Sequence, residues 1–256
     1  MREPVGDADL AYALHGHHGP AVILLHCLGG SAAMWSGVAI RLAQAHRVVA
    51  LDLRGHGGTR APGPWTIEQL ADDAAGLLAT LAIERAHVIG AAMGGMVAQL
   101  LAAAHPDLVE RLVLANTASH IDERGAASFR ARAARARSEG LAAIVAEGIG
   151  RYFTPHAPEQ IVERVRSSWE AMSPEGYAWS CEALAAFDAR PAHARIMAPV
   201  LVVGSAGDPT STPERAGELA ASLPRARVAM LERGAHLACV EEEAAFSDLV
   251  LSFLRA

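Results

Sequence analysis

The sequence contains no lysine, and all 22 of its basic side chains other than histidine are arginines. Without an ε-amino group the chain cannot form a Schiff base, which excludes pyridoxal-phosphate attachment and related lysine chemistry. A nucleotide-binding phosphate loop is excluded as well, because that motif needs a lysine against the phosphates. We expect neither an organic cofactor nor a metal.

Cysteine is scarce, and the three residues present are Cys27, Cys181 and Cys239. An odd number without metal-ligand spacing favours a reducing cytoplasm over a disulfide framework or a zinc site. Three histidines lie close together, at His15, His17 and His18. The glycines and the proline around them are typical of a turn, so no metal site is expected there.

Long apolar runs are also missing. No segment is long enough to span a bilayer, and the first residues lack the apolar core of a signal peptide. The formal net charge of −6 provides no general attraction to nucleic acid or acidic lipid. We therefore expect a small-molecule partner rather than a nucleic acid or a membrane, with the oligomeric state open. A length of 256 residues suits one large α/β domain.

Strand and helix signals alternate through most of the chain. Buried strands are predicted at 21–25, 47–51, 85–89, 109–115, 199–204 and 227–231. A helix capped by Ser31 is predicted to about residue 44, and Thr66 and Gln69 form a predicted capping box. Between 119 and 188 only helical patterns occur. The prediction is an α/β fold with a mostly parallel central sheet, helices on both faces and an inserted helical cap. Its segments are core 1–118, cap 119–188 and core 189–256.

One stretch carries the main functional signal. It runs from the strand predicted at 85–89 through Gly90 and Gly94 into a helix. With serine at position 92 it would read Gly-x-Ser-x-Gly, a sharp strand-to-helix turn that presents a nucleophile. The glycines permit the turn because larger side chains would collide. Position 92 is alanine.

Two further residues follow later strands within glycine-containing loops, Asp208 and His236. The order of turn, acid and histidine is the one used by a nucleophile–histidine–acid triad on this kind of sheet. In such a triad the carboxylate orients the imidazole, which takes and returns the proton of the nucleophile. An oxyanion hole needs two backbone N–H groups, for which Met93 and Leu28 are the candidates.

The chain resembles the α/β-hydrolase family over nearly its whole length, and most closely its 3-oxoadipate enol-lactonase branch. The resemblance rests on the segments 52–57, 65–70, 93–95 and 110–118, with 176–178 and 181–183 in the cap. It departs from that branch in the loop His26-Cys27-Leu28-Gly29, which is similar to broader esterases, and at Ala92, where the family has serine.

The resemblance implies that basic and aromatic cap residues receive a substrate carboxylate. An arginine suits a carboxylate because its planar fork donates two parallel hydrogen bonds. Among the cap arginines, Arg132 is favoured because it lies three residues after Phe129 on the same helical face. Cys27, Trp35 and Trp179 are further candidates for lining the substrate pocket.

Alanine at position 92 has three interpretations. It replaces a natural serine and inactivates an ester or lactone hydrolase that works through an acyl-enzyme, which is the interpretation we favour. Alternatively, it is natural, and Asp208 and His236 perform proton transfer in a lyase, cyclase or isomerase. In the third interpretation the protein binds a ligand without catalysis. Cys27 is not expected to replace the nucleophile.

Overall fold

The computed structural model describes residues 1–255, in which eight strands and ten α-helices follow one another along the chain. The strands are β1 (Arg2–Val5), β2 (Ala8–His15), β3 (Ala21–Leu25), β4 (Arg47–Leu51), β5 (Ala86–Ala91), β6 (Val109–Ala115), β7 (Val200–Ser205) and β8 (Ala226–Leu231). The helices are α1 (Ser36–Leu42), α2 (Ile67–Thr80), α3 (Met93–Ala104), α4 (Glu123–Glu139), α5 (Ala142–Tyr152), α6 (Glu159–Glu170), α7 (Pro174–Ala185), α8 (Pro213–Ala221), α9 (Ala238–Glu241) and α10 (Glu243–Arg255). Two 3-10 helices cover Ala32–Trp35 and Arg190–Arg195.

All eight strands belong to one sheet, in the order β1-β2-β4-β3-β5-β6-β7-β8. The pairs β1–β2 and β2–β4 are antiparallel, and every other pair is parallel. Helix α2 contacts α3, and α1 contacts α10. The predicted class, a mostly parallel sheet covered by helices, is confirmed. The loops after the parallel strands meet at one edge of the sheet, where ligands bind in such folds.

Three strands were predicted with the bounds that the structure gives them. These are β3, β4 and β6, each of which contains a run of four or five apolar residues, as is typical of a strand covered on both faces. Strand β1 was not predicted, since it has four residues and alternates between exposed and half-buried positions. The capping box is confirmed: Gln69 N donates to Thr66 Oγ1 at 3.3 Å, and Thr66 N donates to Gln69 Oε1 at 2.9 Å.

The helix predicted from residue 31 to 44 is shorter and less regular than expected. A 3-10 helix precedes α1, which ends at Leu42. Ser31 makes no side-chain cap; its hydroxyl instead forms a 2.9 Å hydrogen bond with Ser168 Oγ on α6. A contact across 137 residues thus replaces the local cap.

Helices α4 to α7, which we call the cap, lie between β6 and β7. Helix α4 packs along α7, and α5 contacts α6. The segment boundaries 119 and 188 remain a prediction. Within the described residues, no helix is both long and apolar enough to cross a membrane.

Candidate active site

Ala92 occupies a sharp turn between β5 and α3. Its backbone has φ 50° and ψ −113°, a left-handed conformation that is unfavourable for alanine. Two hydrogen bonds hold it there: Ala92 N donates to Ala115 O at 2.9 Å, and Thr117 Oγ1 donates to Ala92 O at 2.7 Å. The surrounding structure therefore imposes the turn on residue 92.

The glycines beside Ala92 are required by close backbone approach. A Cβ on Gly90 would lie 2.2 Å from Gly94 O, and a Cβ on Gly94 would lie 2.1 Å from Leu25 O. Neither distance leaves room for a methyl group, and both neighbours are main chain. The glycines match the predicted steric reason for the pattern.

Asp208 and His236 form a buried hydrogen-bonded pair. His236 Nδ1 lies 2.9 Å from Asp208 Oδ2, and the two residues are 4% and 6% exposed, with the histidine the more exposed of the two. The other carboxylate oxygen, Oδ1, accepts hydrogen bonds from the amides of Thr210 and Ser211. Burial on its own raises the pKa of Asp208, but the hydrogen bonds and the charge of His236 outweigh it and lower that pKa below its usual value. The carboxylate is therefore ionised and holds the imidazole by its Nδ1–H.

Asn116 completes this pair, and the sequence analysis gave it no role. Its Nδ2 donates to Asp208 Oδ2 at 3.0 Å and to Ser205 Oγ at 2.8 Å. Asn116 follows β6 with φ 46°, a conformation that asparagine tolerates better than most residues. An asparagine directly after a buried parallel strand was the available signal.

A cavity of about 430 Å³ connects the turn to the cap. It is lined by six of the predicted site residues: Leu28, Ala92, Met93, Phe129, Arg132 and His236. Asp208 lies behind His236 and does not line it. The amides of Leu28 and Met93 find no protein acceptor in residues 1–255, as expected for donors reserved for a ligand.

Arg132 differs from most of its neighbours on α4. Its guanidinium donates to the Tyr177 hydroxyl and lies 5.3 Å from the ring centroid of Phe129. In the part of the chain that the structure describes, no carboxylate pairs with it. By contrast, Arg135 and Arg137 are bound to glutamates. Arg132 is thus a half-buried cation on the cavity wall with no salt-bridge partner, although Glu147 lines the same cavity and its pKa is lowered in part by the charge of Arg132.

Three predicted pocket residues do not line the cavity. Cys27 is fully buried with its Sγ 3.8 Å from Met34 Sδ, and burial raises the pKa of its thiol to about 12. Trp35 is fully buried and stacks on Phe246 of α10. Trp179 packs edge-on against Trp65, on a separate surface depression. The expectation that these three residues line the substrate pocket is therefore corrected. Each side chain packs against another apolar side chain away from the cavity.

Tyr152, at the end of α5, is a cavity residue that the sequence analysis missed. Its hydroxyl donates to Leu28 O at 3.1 Å, and its ring stacks on Trp169 with centroids 5.1 Å apart. Its backbone oxygen accepts from Leu237 N at 2.9 Å, next to His236. No local pattern distinguishes this tyrosine from a core residue. Among residues 1–255, no three His, Cys, Asp or Glu side chains are grouped to hold a metal ion.

A nucleophile turn, a histidine–carboxylate pair and two free amides around one cavity are the parts of a hydrolase site on an α/β sheet. Residues 20–243 match the family model described as alpha/beta hydrolase fold, and the chain belongs to that family.

Individual relatives agree with this assignment. The 3-oxoadipate enol-lactonase 2 of Acinetobacter baylyi is 36% identical, covering 97% of this chain and 94% of the relative. The enol-lactonase structure from Burkholderia xenovorans LB400 superimposes with a TM-score of 0.95 at 36% identity, over all of both chains. A thermophilic esterase from Thermogutta terrifontis, with malate bound, has a TM-score of 0.93 at 27% identity, over 100% of this chain and 98% of the esterase.

Proposed function

We propose that this site, with serine at position 92, hydrolyses a small ester or lactone that carries a carboxylate. As it stands, with Ala92, the protein binds such a compound but turns it over very slowly. The observation that carries this proposal is the hydrogen-bonded pair of Asp208 and His236 behind a turn that exposes residue 92 to the cavity. All parts of an acyl-transfer site except the nucleophile are then present.

The mechanism follows from the tautomer of His236. Its Nδ1–H donates to Asp208, so Nε2 is the basic nitrogen and would take the proton of a serine hydroxyl at position 92 as it attacks the carbonyl. The amides of Leu28 and Met93 would stabilise the negative oxygen of the tetrahedral intermediate. The leaving alcohol or enol would take its proton back from His236, and a water molecule activated in the same way would release the acid.

A carboxylate on the substrate is supported by Arg132, which has no salt-bridge partner in residues 1–255 and lines the cavity together with Phe129. The named activity of the enol-lactonase relatives and the malate in the esterase structure favour the same substrate class. A guanidinium in a half-buried site binds a carboxylate more strongly than one in bulk water.

The test compares this chain with its Ala92→Ser variant on two substrates, an uncharged 4-nitrophenyl ester and 3-oxoadipate enol-lactone. We expect kcat to rise at least about 10³-fold in the variant, since loss of a triad nucleophile removes most catalysis. Mass spectrometry should detect an acyl group on the serine.

The two other interpretations of Ala92 give different results. A proton-transfer enzyme would convert its substrate with Ala92 in place and lose that activity in His236→Ala. A binding protein would show saturable binding of the lactone and no turnover in either form. A folded Ala92→Ser variant that hydrolyses neither compound would overturn the proposal.

A further inference from the structure

The peptide bond between Cys27 and Leu28 is held from one side only. Its carbonyl, Cys27 O, accepts a hydrogen bond from Gly30 N at 3.0 Å and lies 2.8 Å from His26 Nδ1. Its N–H, on Leu28, has no acceptor within the described chain and lies at the cavity. Because a trans peptide is planar, its C=O and N–H point in opposite directions, so holding the carbonyl also aims the amide.

The two nitrogens of His26 have different roles. Leu53 N donates to Nε2 at 3.0 Å, so Nε2 is unprotonated and Nδ1 carries the proton that is donated to Cys27 O. Burial lowers the pKa of His26 to about 4, in agreement with a neutral ring. The loop after β4 therefore sets the tautomer of a histidine that belongs to the loop after β3.

The next peptide, between Leu28 and Gly29, is held from both sides. Tyr152 Oη donates to Leu28 O at 3.1 Å, and Gly29 N donates to His56 Nε2 at 3.2 Å. His56 Nδ1 lies 2.8 Å from Arg54 O, so His56 has the same tautomer as His26. The peptide that carries the Leu28 N–H is thus fixed by His26 of the same loop, and the following peptide is fixed by Tyr152 and His56 from other segments.

We propose that His26 is a positioning residue, which aims the Leu28 N–H at the substrate oxygen through its Nδ1–H bond to Cys27 O. His56 and Tyr152 support it by fixing the following peptide. The orientation is a property of this chain as it stands; its effect on catalysis rests on the proposed hydrolase function.

The decisive experiment separates the two ring nitrogens in the Ala92→Ser background. In His26→Asn the side-chain amide takes the place of Nδ1–H and keeps the donation to Cys27 O, but it leaves Leu53 N unpaired. His26→Gln reaches the place of Nε2 and keeps the acceptor for Leu53 N, but it loses the donation. We expect kcat to stay within about 3-fold in His26→Asn and to fall about 10- to 100-fold in His26→Gln, with KM unchanged in both.

Thermal stability should rank the variants differently. The unpaired buried amide of Leu53 makes His26→Asn the less stable protein, while Cys27 O keeps Gly30 N in both. If His26 had only a structural role, kcat would be lower in His26→Asn, the less stable variant, than in His26→Gln. That result would overturn the proposal. The matched control is His193, a buried histidine that bonds Ser222 and Gln99 away from the cavity. His193→Asn and His193→Gln should lower stability without changing kcat.

Two further measurements keep the proposal testable if a His26 variant does not fold or the serine variant is inactive. In the Ala92→Ser protein, Tyr152→Phe removes only the hydroxyl on Leu28 O and should lower kcat about 3- to 10-fold at constant KM; an unchanged kcat would count against the proposal. In the unaltered chain, ¹⁵N NMR at neutral pH should find His26 protonated at Nδ1 and bare at Nε2. The opposite tautomer would overturn the positioning role, whereas inactivity of Ala92→Ser alone would overturn only the hydrolase proposal.

Discussion

At the scale of single residues, the hydrogen-bond partners of the acid are all assigned, whereas Arg132 and Arg151 on the cavity wall have no salt-bridge partner in residues 1–255. Asp208 takes its hydrogen bonds from His236, Asn116, Thr210 and Ser211. Arg132 is the charged member of the predicted substrate-binding residues, and no carboxylate in residues 1–255 forms a salt bridge with it. Affinity and catalysis should therefore respond to different substitutions.

Arg132→Gln in the Ala92→Ser background should raise KM about 10- to 100-fold for the mono-4-nitrophenyl ester of glutaric acid, because the carboxylate loses a charged partner. For 4-nitrophenyl pentanoate, the uncharged counterpart, KM should stay the same. Arg132→Lys should recover only part of the loss, since an ammonium lacks the planar fork. Arg137→Gln is the control, because that arginine is exposed and bound to two glutamates. Equal effects on both esters would exclude Arg132 as the carboxylate contact.

Substitution of Asn116 should alter proton transfer rather than substrate affinity. In Asn116→Asp a second carboxylate would replace the donor that lies 3.0 Å from Asp208 Oδ2. Like charges raise the pKa of one of the two carboxyl groups, and while that group holds its proton the pair stabilises the imidazolium less well. The acidic limb of the variant would then report the loss of this carboxyl proton. We expect kcat of the Ala92→Ser protein to fall about 10-fold and the acidic limb of its pH–rate profile to move to higher pH. Asn116→Gly keeps the left-handed backbone without adding charge, and its acidic limb should stay in place.

At the scale of elements, the turn between β5 and α3 leaves no room for an added side chain at its glycines. Gly94→Ala would place a methyl group 2.1 Å from Leu25 O and 2.7 Å from His26 O, both main-chain atoms of a neighbouring segment. We expect a loss of more than about 3 kcal/mol in the free energy of unfolding, or no folded protein. Gly217→Ala in α8 meets nothing within 4 Å and should add about 0.5–1 kcal/mol. Urea titrations of Gly94→Ala and Gly217→Ala measure both changes in the free energy of unfolding. A stable Gly94→Ala protein would contradict the close contact between Gly94 and Leu25 O.

Elements with a strong local signal could be predicted from the sequence. Buried strands such as β3 and β4 are visible as apolar runs, and the capping box of α2 needs only Thr66 and Gln69. Residue 92, Asp208 and His236 could be predicted to lie close together because each follows a strand that the pattern places at one sheet edge. All of that information lies within a few neighbouring residues.

Contacts between distant segments could not be predicted. Trp35 is a core residue because Phe246, far along the chain in α10, stacks on it. Trp179 is held by Trp65, and Ser31 by Ser168. Asn116 and Tyr152 join the site through partners 92 and 124 residues away. The periodicity and spacing of residues in the sequence do not indicate which distant residues are in contact.

At the scale of the whole molecule, buried neutral histidines couple stability to pH. Burial lowers the pKa of His26 to about 4, and burial with the nearby His26 lowers that of His56 to about 3, against about 6.5 in an unfolded chain. Between these values the unfolded state binds more protons, so stability is complete above about pH 6.5 and falls as the pH drops toward the folded pKa values. The loss at about pH 5 is about 2 kcal/mol for each of the two.

The free energy of unfolding should therefore be at least about 4 kcal/mol lower at about pH 5 than at about pH 7.5, a large part of the stability of an ordinary domain. Asp208 contributes little in this range, because its lowered pKa delays its protonation to more acidic solution. His56→Gln keeps an acceptor for Gly29 N and removes the titrating ring, so its pH dependence should shrink by about 2 kcal/mol. His18→Gln, at an exposed turn, should leave the dependence unchanged. Urea unfolding of the unaltered protein, His56→Gln and His18→Gln at both pH values measures this pH dependence. Equal stability at the two pH values would mean that the rings of His26 and His56 are not held neutral by burial.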